Sequence, residues 1–197
     1  MLPDSPISTP EPDTSAEQAR SCSEVATGGR KNFVRGLLIE GLRAAVPAFV
    51  VYCLLFNLSV VRGSSMAPGI ADGDRILVEP WSYLVDEVAH GDVIVLRYPL
   101  DPSVDYIKRV IGTPGDEVYT CNGKVWVNGE LVHEPYVAYE GIEAPSFFAV
   151  REGFLFVLGD NRPRSSDSRE FGLVPRENVR GRVDLRLWPL GRAGLIH

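Results

Sequence analysis

The chain has no Cys-x-x-Cys pair, and its cysteines, Cys22, Cys53 and Cys121, are too few and too scattered to staple a small framework or build a zinc knuckle. Its histidines, His90, His133 and His197, do not pair at a ligand spacing on any plausible helix, so no metal site is expected. A glycine-rich loop that could cradle phosphate is also missing, and no cofactor is implied. Basic charge is short: 20 Lys and Arg stand against 26 Asp and Glu, for a net charge of −6. With no basic patch to offset that balance, a general nucleic-acid binder is excluded.

What is present is a chain of 197 residues, 45% apolar and 23% charged, a length that suits one compact domain with an appendage. Residues 1–31 carry Pro3, Pro6, Pro10 and Pro12 among many Ser, Thr, Asp and Glu, with few large apolar residues. Such a segment cannot bury enough surface to offset its ordering entropy, and the composition predicts a disordered tail. It is too acidic and too poor in Arg for a transit peptide.

Residues 32–61 predict a retained membrane anchor. The run from Ala44 to Val61, AAVPAFVVYCLLFNLSVV, has eighteen residues and no charge. As a helix it would span ~27 Å, close to the thickness of a bilayer core. Pro47 falls near its start, where a missing N–H costs least. The competing reading is a buried helix of a soluble domain. The apolar run starts too late for a cleaved signal peptide, and no small-x-small site follows it. Arg30, Lys31, Arg35 and Arg43 precede the run, against Arg62 and Arg75 just after it, which favours a cytoplasmic N-terminus. Cys22, Cys53 and Cys121 would then lie in three different environments, and no disulfide within the chain is expected.

Residues 62–197 read as mainly β. Ile76–Val78, Asp92–Leu96, Ile107–Ile111 and Phe154–Leu158 are short β-branched or aromatic runs, punctuated by Gly-Asp pairs at 73, 91, 115 and 159. Asn122-Gly123 and Asn128-Gly129 each suit a two-residue type I′ turn, which predicts a three-stranded meander from Glu117 to Val132 within a smaller β insertion over 117–153.

Three segments place polar residues where a strand should end. Gly63-Ser64-Ser65-Met66-Ala67-Pro68-Gly69-Ile70 is a turn that can present a Ser hydroxyl beside backbone N–H groups able to bind an oxyanion, although most Ser in such turns only bond locally. Lys108 and Arg109 must point to opposite faces of a strand, so one cation faces the apolar side. A buried Lys can become a base near neutrality, whereas Arg cannot. For an isolated strand Lys, snorkelling to solvent is the ordinary alternative. Gly159 to Gly172 is a dense polar stretch after an apolar strand, either a solvated loop or the polar wall of an active site.

Taken together and in this order, the segments resemble the type I signal peptidases, membrane-bound Ser–Lys proteases. The motifs that carry the resemblance are Ser65-Met66-x-Pro68 with Gly73-Asp74; Tyr106-Ile107-Lys108-Arg109 with Gly112-x-Pro114-Gly115-Asp116; and Gly159-Asp160-Asn161-Arg162 with Ser165-x-Asp167-Ser168-Arg169. The resemblance implies a transmembrane helix followed by a coiled antiparallel β-sheet catalytic domain with a small β-hairpin insertion. It implies Ser65 as nucleophile, Lys108 as general base, Ser165 orienting the Lys108 amine, and Asp167 with Arg169 as a structural ion pair. Val61, Met66, Ile70, Tyr106 and Ile107 match positions lining shallow pockets for small side chains. The implied substrates are exported preproteins cut after small-x-small sites such as Ala-x-Ala. The implied partners are the lipid bilayer and the secretion translocon, the implied location the bacterial cytoplasmic membrane with the catalytic domain outside the cytoplasm.

The chain departs from the family pattern twice. Gly69-Ile70 stands where Thr-Leu is frequent, which removes a hydroxyl from the turn. Gly63 stands where some members place a Ser that helps bind the oxyanion, leaving that task to backbone N–H groups, chiefly that of Ser65. Three other readings compete. Self-cleaving LexA-like Ser–Lys proteins commonly carry a DNA-binding domain, which residues 1–31 cannot form. A conjugative pilin-processing peptidase is closer, but Ser165 to Arg169 favours the general signal peptidase. A catalytically silent, membrane-tethered β module is opposed by the intact Ser65 and Lys108.

Overall fold

The computed structural model describes residue 36, residues 39–49 and residues 57–196. The tail over 1–31, and with it Cys22, lies outside the described residues, as do residues 50–56 of the expected anchor, which include Cys53. Residues 39–49 are helical and exposed, with Ile39, Leu42, Val46 and Phe49 open to solvent and an ion pair of 2.7 Å between Arg43 and Glu40. Among the described residues no helix is long and apolar enough to cross a membrane.

The expected end of the anchor at residue 61 is corrected. Asn57–Val60 form strand β1, paired antiparallel with Arg75–Glu79, strand β2, so that Asn57 faces Val78 and Val60 faces Arg75. The uncharged run therefore contains the first strand of the following domain. Absence of charge did not distinguish the two, because an edge strand with Leu58 and Val60 exposed is as apolar as the end of a helix.

The other strands of the main sheet are Val93–Tyr98 (β3), Asp101–Gly112 (β4), Phe154–Leu158 (β9), Val174–Pro175 (β10), Val179–Trp188 (β11) and Gly194–Leu195 (β12). The sheet is antiparallel in the order β1-β2-β11-β3-β4-β9-β10, with β12 paired to β11. The apolar runs of β3 and β9 are continuous because these central strands pack on both faces. On β3, Val93 packs with Val61, Met66, Ile70, Ile76 and Val183, while the next residue, Ile94, packs on the other side with Leu96, Val110, Leu155 and Val157. On β9 the alternate residues Phe156 and Leu158 join a third cluster with Ile111, Val118, Val125 and Val150, which belongs to the small sheet.

That small sheet contains the expected three-stranded meander, Glu117–Cys121 (β5), Lys124–Val127 (β6) and Glu130–Leu131 (β7), and adds a fourth strand, Ser146–Ala149 (β8). Their order is β7-β6-β5-β8. Both Asn-Gly turns have positive φ at both central residues, 50° and 76° at Asn122-Gly123 and 54° and 83° at Asn128-Gly129, the type I′ geometry. Strand β4 feeds this sheet directly. A Cβ at its last residue, Gly112, would lie 2.7 Å from Val118 Cγ2 and 3.0 Å from Val150 Cγ2, so the chain can pass between the sheets only without a side chain there.

Candidate active site

Ser65 lies in the turn that leads out of β1. This turn is closed at its base by Val61 N–H donating to Asp74 O (2.8 Å) and Gly73 N–H donating to Val61 O (2.9 Å). Met66 and Ile70 reach down from the turn into the core, each 1% exposed. They anchor the turn in the core and are not among the residues that line the cavity. The sequence pattern shows that they are apolar but not which way the turn faces them.

Across from this turn, β4 carries Lys108 and Arg109 on opposite faces. Arg109 donates through Nε and Nη2 to the Asp160 carboxylate at 3.0 and 2.8 Å, a buried bidentate pair, and its guanidinium stacks 3.9 Å from the Tyr136 ring centre. Lys108 turns the other way. It is only 2% exposed, and Nζ lies 3.1 Å from Ser65 Oγ. Burial pushes its pKa down from 10.5 to about 8, against the pull of the Asp167 charge in the opposite direction. The amine can therefore give up its proton in mildly alkaline conditions and accept one from the hydroxyl beside it.

The polar wall is built by the segment after β9. Asp167 is fully buried and accepts from Arg169 Nε (2.8 Å), Arg169 Nη2 (2.9 Å) and Gly159 N–H (3.0 Å). Arg169 also bonds to Glu143 and to Arg162 O. Arg162 is itself buried and donates to Gly159 O and, in the small sheet, to Gly123 O. Gly159 is sterically required: a Cβ there would lie 2.2 Å from Ser165 Oγ and 2.6 Å from Ser65 O. Ser165 is thus beside the dyad, but its buried hydroxyl has no hydrogen-bond partner, so the expected bond to Lys108 is not formed in this structure.

Asn161 has a position that its motif alone did not reveal. Its backbone N–H donates to Ser65 O (2.9 Å) and its side-chain amide to Ser64 O (3.0 Å). In a trans peptide the N–H points opposite to the preceding C=O. With Ser64 O tied to Asn161, the Ser65 N–H is aimed away from that contact. The contact joins residues 97 apart in sequence, which is why local spacing could not find it.

The dyad opens onto a cavity of about 650 Å³ whose walls include Val60, Val61, Tyr106 and Ile107. Val61, Tyr106 and Ile107 are thus on the cavity wall, and sequence reasoning missed Val60 and Ile76, which line it too. Ser64 and Arg164 also border it. Tyr106 is fixed by stacking on Tyr98 at 4.6 Å between ring centres.

The chain is similar to several known proteins. The family model described as signal peptidase, peptidase S26, matches residues 35–188. The probable signal peptidase I-2 of Synechocystis is 35% identical over 159 residues, covering 78% of this chain and 72% of the relative. Signal peptidase IB of Staphylococcus aureus is 34% identical over 174 residues, 77% of this chain and 90% of that protein. The crystal structure of a signal peptidase I from Enterococcus faecalis aligns at a TM-score of 0.45 with 32% identity, covering 50% of this chain and 97% of that one.

Proposed function

The chain belongs to the type I signal peptidases of the S26 family, serine peptidases that remove signal peptides, and from that premise we propose that it acts through a Ser65–Lys108 dyad on exported preproteins with small-x-small cleavage sites. The observation that carries the reading is the 3.1 Å approach of a buried lysine amine to a serine hydroxyl at the mouth of a cavity.

Neutral Lys108 takes the Ser65 proton as Oγ attacks the scissile carbonyl. The Ser65 N–H, aimed by Asn161, donates to the oxyanion of the tetrahedral intermediate. Protonated Lys108 then passes its proton to the leaving amine, and an acyl-enzyme remains on Ser65. Lys108 next activates the water that releases the acyl group. Asp167 and Arg169 keep the polar wall rigid. Ser165 supplies a hydroxyl whose unmet bonding is a standing cost, and a hydrogen bond with the Lys108 amine would remove it. Apolar walls at Val60, Val61, Tyr106 and Ile107 favour short side chains at the first and third positions before the cut.

The lipid bilayer and the translocon are the proposed partners, with a cytoplasmic N-terminus and the catalytic domain outside. The surface supports the lipid part. Val60, Arg75 and Trp188 are register neighbours on one row of the main sheet, and Leu58, Leu77, Leu185 and Leu195 form the next row on the same face, two positions along. Trp188, Leu190 and Leu195 are 49%, 73% and 65% exposed. This apolar face runs up to Val60 at the cavity edge.

The test is cleavage of a precursor bearing an Ala-x-Ala site by detergent-solubilised protein. Ser65→Ala and Lys108→Arg should both abolish it, while Ser64→Ala should retain it. Near-normal turnover by Lys108→Arg would show that another group is the base.

A further inference from the structure

The turn bearing Ser65 is held from its far side by two arginines that arrive from the other end of the chain. Arg186, on β11, donates through Nη1 to Gly69 O and lies 3.4 Å from Asp74 Oδ2. Arg192, just before β12, donates through Nη2 to Pro68 O (2.9 Å) and Gly69 O (3.0 Å), and its Nη1 lies 3.6 Å from Asp74 Oδ1. Arg186 Nε also donates to Arg192 O, so the two residues are tied to each other as well as to the turn. Asp74 is 2% exposed and accepts from Ala71 N–H at 2.9 Å, closing the loop on the same carboxylate.

We infer that Arg186, Arg192 and Asp74 form a positioning clamp that sets the catalytic rate by fixing the nucleophile turn, and that the clamp is needed because position 69 has no side chain to stiffen it. The inference rests on Ser65 being the nucleophile. Carbonyls of the turn are held on both flanks: those of Ser64 and Ser65 by Asn161, those of Pro68 and Gly69 by the arginines. Releasing one flank lets the turn pivot on the other, which moves Oγ relative to a Lys108 amine that stays fixed on β4. A displacement on the order of 1 Å at a reacting group can cost about 10²-fold in rate. Guanidinium is suited to this task because its planar fork can serve two carbonyls and a carboxylate at once, which an ammonium cannot do in one geometry. A Cβ at Gly69 would meet only Met66 O at 3.6 Å and Asp160 Oδ2 at 3.8 Å, ordinary contacts, so an added methyl group fits and restricts the backbone.

The experiment measures kcat and KM of full-length protein on an Ala-x-Ala precursor for wild type, Ser65→Ala, Arg192→Gln, Arg186→Gln and the double variant Arg192→Gln/Gly69→Ala. Amide hydrogen exchange is followed in the same proteins. The expected result is a fall in kcat of about 10-fold or more for each arginine variant with KM within about twofold. The pH at which activity rises should not move, because Lys108 is untouched. Exchange at the Ala67 and Ile70 amides should quicken by a similar factor while that at Ile94 and Val110 stays unchanged. Gly69→Ala should recover part of the lost kcat in the Arg192→Gln background. Unchanged kcat and unchanged exchange at Ala67 and Ile70 would overturn the clamp, as would an exchange increase spread evenly over the core. Activity surviving in Ser65→Ala would instead overturn the nucleophile assignment on which the clamp depends, and the exchange rates would still decide separately whether the arginines hold the turn.

Discussion

Lys108 carries opposite consequences for stability and for chemistry. In the unfolded chain it holds its proton up to about 10.5, and in the folded chain only to about 8. Between these values the unfolded state binds more protons, so stability rises with pH across that window; below it the buried ammonium costs on the order of 3 kcal/mol. Lys108→Met should therefore be inactive yet more stable than wild type at pH 7, by about 2 kcal/mol, with the gain shrinking towards pH 10.5. Thermal unfolding at both pH values checks this; equal or lower stability at pH 7 would mean that the ammonium is well solvated in the fold. Asn161→Ala should lower kcat by about 10-fold or more with little change in KM, since it frees the Ser64–Ser65 peptide plane without touching either reacting group. Steady-state kinetics on a precursor measures the split. At this scale the sequence is informative about residue types with unusual surroundings, such as the Lys108-Arg109 pair. It is silent on the contacts of Asn161, Arg186 and Arg192, whose partners lie far along the chain.

Among the elements, those with an unambiguous pattern are legible. Strands buried on both faces, such as Val93–Tyr98 and Phe154–Leu158, stand in the sequence as apolar runs, and each Asn-Gly pair marks a hairpin because both its residues tolerate positive φ. Strand β11 escapes sequence reading although it sits between β2 and β3 in the main sheet. Its sequence, VRGRVDLRLW, alternates charge with apolar residues, and those charges are used in ion pairs such as Arg182 with Asp184 and Arg186 with Asp74. Strand β8 escapes because Ser146–Ala149 is too short to show a period. Gly112, part of the Lys108 motif, has a role that only packing explains. Gly112→Ala should cost about 1–3 kcal/mol by forcing Val118 and Val150 apart at the junction of the sheets. Denaturant unfolding would show it as a lower midpoint, and a change below about 0.5 kcal/mol would mean that the junction yields easily.

On the scale of the whole molecule, composition divides the chain into tail, anchor and β domain, and the boundary that moves is the one drawn inside an uncharged run. That run ends in β1, so the catalytic domain begins inside a segment that hydropathy assigns to a span. The same apolar character that blurs the boundary is what the proposed contact with lipid would use. If the face bearing Trp188 and Leu190 meets lipid, brominated acyl chains should quench Trp188 fluorescence in the full-length protein. The quenching should be strongest for bromines near the headgroup, and no quenching at any depth would remove that face from the interface. On the proposed reading, a membrane surface shared with the precursor would raise its effective concentration and so compensate for pockets that grip only small side chains.

The central claim is that Lys108 works as the base for Ser65, and the pH dependence of kcat/KM tests it most directly. For wild type the account predicts a rise with pH through a single ionisation near 8, where burial holds the Lys108 amine. A profile flat from about pH 6 to 9, or a rise that persists with the same midpoint and comparable rate in Lys108→Ala, would contradict it.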